Sequence, residues 1–149
     1  WLMGSFAGRG WYEVSLLLPA AIIGLFVVWT FHRPLDLIAL GGESAHHLGV
    51  RVVAVQIGSI ILAAVLTALT VATCGTIGFV GLMAPHLARH IVGSTHGKSV
   101  PASVLAGIFL TVGSDLAART ILAGTELPVG VVTGAVGCVF FLALLTKKR

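Results

Sequence analysis

Three groups of residues could do chemistry. The first is His86, Arg89 and His90, which at i, i+3 and i+4 share one face of a helix. Two imidazoles at that spacing can begin a metal site, but no nearby carboxylate or cysteine completes the ligand set, and Arg89 would repel a cation. They read as anchors for the end of an apolar helix, with no metal. The second is Gly93-Ser-Thr-His-Gly97-Lys98-Ser99, which resembles a phosphate-binding loop. It is one residue short of G-x-x-x-x-G-K-[ST] and follows an apolar segment where that motif follows a strand. ATP therefore has no predicted site on this chain, and any energy from its hydrolysis would have to arrive through a separate protein. The third is Asp115 and Arg119, one helical turn apart. At i and i+4 they can neutralise each other in a bundle where a lone charge is costly. Cys74 and Cys138 have neither metal spacing nor a secreted-domain framework and read as small packing residues. No His-Glu-x-x-His or Gly-x-Ser-x-Gly motif is present, so the chain reads as a non-enzyme without a cofactor.

The elements that must hold these residues are apolar helices. With 57% hydrophobic and 9% charged residues and a mean hydropathy of +1.06, the chain has too little polar material to clothe a water-soluble globule. Its surface must face lipid. The spans expected are Val14 to Phe31, Val52 to Thr73, a weaker Cys74 to Val92, Val100 to Leu122, and Val129 to Thr146. This is an all-α, polytopic transmembrane bundle of about five crossings. Threaded so, Arg33, Arg51, Arg89, Lys98, Lys147, Lys148 and Arg149 fall on one side and Arg9 and Arg119 on the other. The cation-rich side is expected in the cytoplasm, which places the C-terminus there too. The basic residues form no continuous patch with interleaved aromatics, so the net charge of +4 does not indicate nucleic-acid binding. The aromatic, glycine-rich opening at Trp1 suggests the later part of a longer chain, and the closing Lys147-Lys148-Arg149 a natural end among anionic headgroups.

Ala64, Ala68 and Ala72 on one face, and Gly130 and Gly134 on another, permit close helix approach, inside the bundle or along a dimer seam or pathway. Gly75, Gly78, Gly81 and Pro85 interrupt the third span, which is expected to lie against protein or a water-filled cavity. The loop from His32 to Arg51 carries Leu35, Leu37, Ile38, Leu40 and Leu48, too apolar for a solvated connector. Pro34 suits the start of one short helix, and Gly41 and Gly42 break it. Glu43 suits the positive end of a second helix, and Gly49 its C′ position. Such a pair either lies among headgroups or is gripped by a cytoplasmic partner.

Three motifs extend this reading. They are Gly75-Thr-Ile-Gly-Phe-Val-Gly-Leu-Met-Ala-Pro-His-Leu-Ala-Arg89, Asp115-Leu-Ala-Ala-Arg119 and Glu126-Leu-Pro-Val-Gly-Val-Val-Thr-Gly134. With the opening Trp1-Leu-Met-Gly-Ser-Phe and the loop Ala39-Leu-Gly-Gly-Glu-Ser-Ala-His-His-Leu-Gly49, they resemble the FecCD family of ABC importer permeases for ferric siderophores, haem and vitamin B12. The resemblance covers essentially the whole chain, 1–149, and implies the C-terminal half of a type II importer permease of about ten helices. Such a subunit would work as a dimer, with a second permease copy or half, in a bacterial inner membrane. It implies two ATP-binding cassette subunits on the cytoplasmic side and a periplasmic substrate-binding protein opposite. Residues Ala39, Leu40, Gly41, Gly42, Glu43, Ser44, Ala45, His46, His47, Leu48 and Gly49 would form the coupling element seated in the cassette. The doubled histidine departs from the family pattern, and burial as a packing residue is expected for at least one. Arg119 would meet carboxylates of the binding protein, and Glu126 would either complete that docking network or cap the last helix. An ion-driven secondary transporter would call for mid-membrane carboxylates, and here only Asp115 stands away from a span end. That reading and a structural scaffold remain as alternatives.

Overall fold

The computed structural model describes residues 3–121 and 128–147, and the described residues form seven helices. The first, α1 (Trp11–Thr30), begins where the Glu13 carboxylate accepts a hydrogen bond from the Gly10 N–H at 2.8 Å. Glu13 thereby satisfies a donor just outside the helix and sits at its positive end. Pro19 lies within α1, as membrane helices tolerate. At Phe31 the chain bends into α2 (His32–Ala39), and the His32 Nδ1 is fixed against the Trp29 carbonyl. Leu40 and Gly41 then turn the chain into α3 (Gly42–His47).

The close of α3 follows the glycine rule. Gly49 has φ of 81°, its N–H donates to the His46 carbonyl at 2.9 Å, and the Val50 N–H donates to the Ala45 carbonyl at 3.0 Å. This pair of bonds is the Schellman arrangement, with the left-handed residue at C′ where glycine carries no Cβ penalty. A second long helix, α4 (Val52–Cys74), then returns along α1. The two approach closely because Gly24 is buried beneath Leu66, whose Cδ1 would lie 2.6 Å from a Cβ at that position.

The expected third span is divided. Residues 75–79 are non-helical, and α5 (Val80–Val92) has 13 residues, about 20 Å of helix, short of the roughly 30 Å of hydrocarbon. The glycine-rich stretch before it supplies the remaining length. Its backbone polar groups find partners in the N-terminal segment: the Gly4 N–H donates to the Thr76 carbonyl at 2.9 Å and the Ser5 N–H to the Cys74 carbonyl at 3.0 Å. Hydrogen bonds to the N-terminal segment thus satisfy part of the backbone here, as a membrane requires of non-helical chain, while Thr76, Gly78 and Phe79 stay exposed on the described bundle.

After Gly93, α6 (His96–Ile121) runs back antiparallel to α5, and these two make the most extensive helix pair in the structure. Gly107 lies opposite Ala84 and Val80 in that seam. α7 (Val129–Lys147) packs on α6 and α5, starting where the Gly130 N–H donates to the Gly4 carbonyl at 3.1 Å. Three helices, α1, α4 and α6, are long and apolar enough to cross a membrane, and α7 contributes a shorter apolar stretch, Val129–Leu144. Their large side chains point outward, Phe109 at 77% and Ile60 at 68% exposure. The buried residues are mostly small: Ala84, Ala88 and Ala118, with Thr73 and Thr133 bonded back to their own helices. Small residues inside and large apolar ones outside are what close packing in lipid demands.

Candidate functional site

The candidate residues separate to two opposite ends of the bundle. At one end lie α2, α3, the start of α4, the end of α5 and the start of α6, with Arg33, Arg51, Arg89 and Lys98 among them. At the other lie the N-terminal segment, the end of α4 and the end of α6, with Arg9 and Arg119. The charge division expected from the sequence is therefore realised in space for these six residues.

On the first end, α2 and α3 form a raised pair. Leu35, Leu37 and Ile38 are half-buried, and Ala45 is fully buried where α3 packs on α2 and α4. Gly41 is half-buried, and Ala39, Leu40, Gly42, Glu43, Ser44, His46, His47, Leu48 and Gly49 are exposed. Leu40 and Leu48 stand out at 80% and 66% exposure. The expectation that one histidine of the pair is buried is not met. His46 and His47 both face outward, their rings edge to face at 6.4 Å, because a six-residue helix held down through Ala45 leaves its other positions uncovered.

The pair is tied to the bundle by a contact that spacing alone did not reveal. Asp36 on α2 accepts two hydrogen bonds from His96, the first residue of α6: one from its backbone N–H at 2.7 Å and one at the ring Nδ1 at 2.6 Å. Partial burial works against the Asp36 charge. The backbone bond and ring of His96, with His32 nearby, outweigh it and hold the carboxyl below its ordinary value. The only sequence signal for this pairing is an acidic residue among the leucines and isoleucine of 35–38 and a helix start 60 positions later. The segment that resembled a phosphate-binding loop is this helix start: Gly97 lies against the His32 ring and Ser99 is buried.

At the opposite end the Arg119 Nε donates to the Asp115 Oδ2 at 2.9 Å, yet the Arg119 side chain remains 60% exposed. The internal pairing is thus formed through one N–H, and the rest of the guanidinium is free of that contact. Arg119 lines a groove of about 620 Å³ with Phe6, Arg9, Trp11, Glu13 and Cys74. Arg9 is thus a second cation on the same rim, 3.9 Å from Glu13, and joins Arg119 only through the fold. Glu126 lies outside the described residues. Gly130 is taken up by an internal contact, where a Cβ would meet the Thr76 carbonyl at 3.0 Å, whereas Gly134 has no atom within 4 Å of such a position. Ala64, Ala68 and Ala72 are exposed, facing away from the described bundle.

His86 sits between His90 and Phe140, with ring centroids at 4.9 and 5.7 Å, while Arg89 and His90 are exposed. Among the described residues no group of three His, Cys, Asp or Glu converges to hold a metal ion. Cys74 is buried and Cys138 exposed.

The fold and its two polar ends define a polytopic, all-helical membrane protein. The chain belongs to the FecCD transport family, whose profile matches residues 1–147. It is 43% identical over its whole length to the Fe(3+) dicitrate transport system permease protein FecD of Escherichia coli (strain K12), of which it covers 47%. It is 39% identical to the hemin transport system permease protein HmuU of Yersinia pestis, covering all of this chain and 45% of that one. It is 40% identical to the cobalamin import system permease protein BtuC of Halobacterium salinarum, covering all of this chain and 40% of that one. A solved inward-facing structure of a metal-chelate type ABC transporter superposes with a TM-score of 0.92 at 32% identity, over 99% of this chain and 49% of that one. The chain thus spans about half the length of the curated relatives it matches.

Proposed function

We propose that this chain is the C-terminal half of the membrane-spanning permease subunit of an ATP-binding-cassette importer. The importer moves a metal chelate, a ferric siderophore by preference, from periplasm to cytoplasm. The observation that carries the reading is the raised α2–α3 pair at one end of a bundle whose other end bears Arg9 and Arg119. Short exposed helices anchored by a few buried residues can be gripped by a partner, and movement of that partner is then imposed on the helices they join. In this reading α2 and α3 seat in the ATPase subunit, which alone hydrolyses ATP, and Arg9 and Arg119 meet carboxylates of the periplasmic binding protein. A second permease copy or half completes the pathway. The cation-rich end lies in the cytoplasm of a bacterial inner membrane with the C-terminus on the same side, a reading supported by the direction of α7 from the Arg119 end toward the α2–α3 end. The relatives named above are permeases for ferric dicitrate, hemin and cobalamin, which supports a bulky chelate as cargo without selecting one.

The test is ATP-dependent uptake by the complete transporter in proteoliposomes, offered radiolabelled ferric siderophore, ferric dicitrate, hemin and cobalamin in turn. Uptake of one of them, abolished by Glu43→Arg through loss of ATPase coupling and by Arg119→Glu through loss of binding-protein docking, is the expected result. Transport of none, or uptake that does not require ATP, would overturn the importer reading.

A further inference from the structure

We propose that Asp36 and His96 are positioning residues that fasten the α2–α3 pair to α6, so that a push delivered to the pair moves α6 as a strut. This rests on the reading of α2 and α3 as the element a cassette grips. It adds the route by which that movement reaches the far end of the bundle.

Four observations converge on it. First, the contact is two-pronged. Asp36 takes both the backbone N–H and the ring nitrogen of one residue, at 2.7 and 2.6 Å, which fixes the direction of the joint as well as its length. Second, the backbone donor belongs to the first residue of α6, whose first-turn N–H groups have no partner within the helix. A carboxylate held there also suits the positive helix end. Third, α2 touches the same turn again at His32, four residues before Asp36. The His32 ring lies 3.2 Å from where a Gly97 Cβ would be and is itself fixed to the Trp29 carbonyl. Fourth, α6 has 26 residues, about 39 Å of helix, and packs on α1, α2, α5 and α7. It reaches the opposite end at Asp115 and Arg119. By contrast, α3 packs on α2 and α4, so α2 is the pair's link to α6. The rival routes are the covalent ones, from α2 through Phe31 back into α1 and from α3 through Val50 and Arg51 into α4, which loss of the Asp36–His96 joint would leave intact.

The experiment uses the complete transporter in proteoliposomes, carrying His47→Cys on the exposed face of α3. Two quantities are read: cross-linking of that cysteine to the ATPase subunit, and chelate taken up per ATP hydrolysed. With Asp36→Ala we expect the cross-link to persist while uptake per ATP falls about fivefold or more. His96→Ala, which leaves the backbone donor in place, and Asp36→Asn, whose amide oxygen still accepts a bond, should fall between. If Asp36→Ala fails to assemble, these two milder variants carry the test. Unchanged uptake per ATP with the cross-link retained would overturn the proposal in favour of the covalent routes through α1 and α4. A lost cross-link in Asp36→Ala would overturn it too, reducing Asp36 to shaping the gripped surface. Absence of the cross-link with Asp36 and His96 intact would instead sink the underlying coupling reading.

Discussion

Phe79 lies across Gly137, so close that a Cβ on the glycine would fall 2.4 Å from the Phe79 Cγ and 2.6 Å from its Cβ. Phe79 itself has φ of 66°, the only left-handed non-glycine among the described residues, and its ring leans on Phe141 at 6.1 Å. A residue of this kind is uncommon in that region and costs about 1–3 kcal/mol, held there by what surrounds it. The surroundings are plain: the non-helical stretch 75–79 must turn sharply into α5, and the bare face of α7 at Gly137 admits the ring that results.

Gly137→Ala is accordingly expected to destabilise the protein by about 1–3 kcal/mol through overpacking. Phe79→Gly removes both the ring and the left-handed penalty, so Phe79→Gly with Gly137→Ala should be less damaging than the sum of the two single changes. Thermal unfolding of the full-length permease in detergent, for the four corners of that cycle, measures the difference. Strict additivity would show that the two residues do not share the space assigned to them.

Asp36 makes a pH dependence predictable. Its folded value lies below the ordinary one, so the stabilisation is complete above the ordinary aspartate value of about 4 and disappears as pH falls through the lower, folded value. The melting temperature of the native protein should therefore exceed that of Asp36→Asn above about pH 4. The margin should shrink as the pH is taken below about 4. A gap that widens in acid would mean that the carboxyl is raised.

Arg9 and Arg119 share one groove though they stand 110 positions apart in the chain. If both face a binding protein's carboxylates, Arg9→Glu with Arg119→Glu should slow association about tenfold or more at low salt and flatten its dependence on ionic strength. Asp115→Asn should have little effect on stability, about 0.5 kcal/mol or less, because the pair it breaks is solvent-exposed. Surface-plasmon measurement of binding-protein association with the assembled transporter across a salt series checks the first, and thermal unfolding of Asp115→Asn in detergent checks the second.

Much of this protein was legible before any coordinates, for reasons that are local. Apolar runs of membrane length predict α1, α4 and α6, since a helix is the one open segment that satisfies its own backbone in lipid. The glycines at 41, 42 and 49 predict where α2 and α3 part and where α3 ends, since backbone freedom is a property of the residue itself. The division of cations between the two ends follows from span order alone.

What the tertiary structure decided are matters of long-range geometry. The weak third span could be read as interrupted but not as a short helix preceded by an extended stretch, because its backbone partners, Gly4 and Ser5, lie some 70 positions away. The exposure of both His46 and His47 depends on which side of α3 meets α2 and α4, which composition does not specify. Asp36 finding His96, and Arg9 sharing a groove with Arg119, depend on helices crossing at set places. Hydropathy and turn chemistry are carried residue by residue and can be read in order. Close packing and hydrogen-bond pairing between distant segments exist only once the helices have met, so elements and their polarity can be read along the chain while neighbours across it cannot.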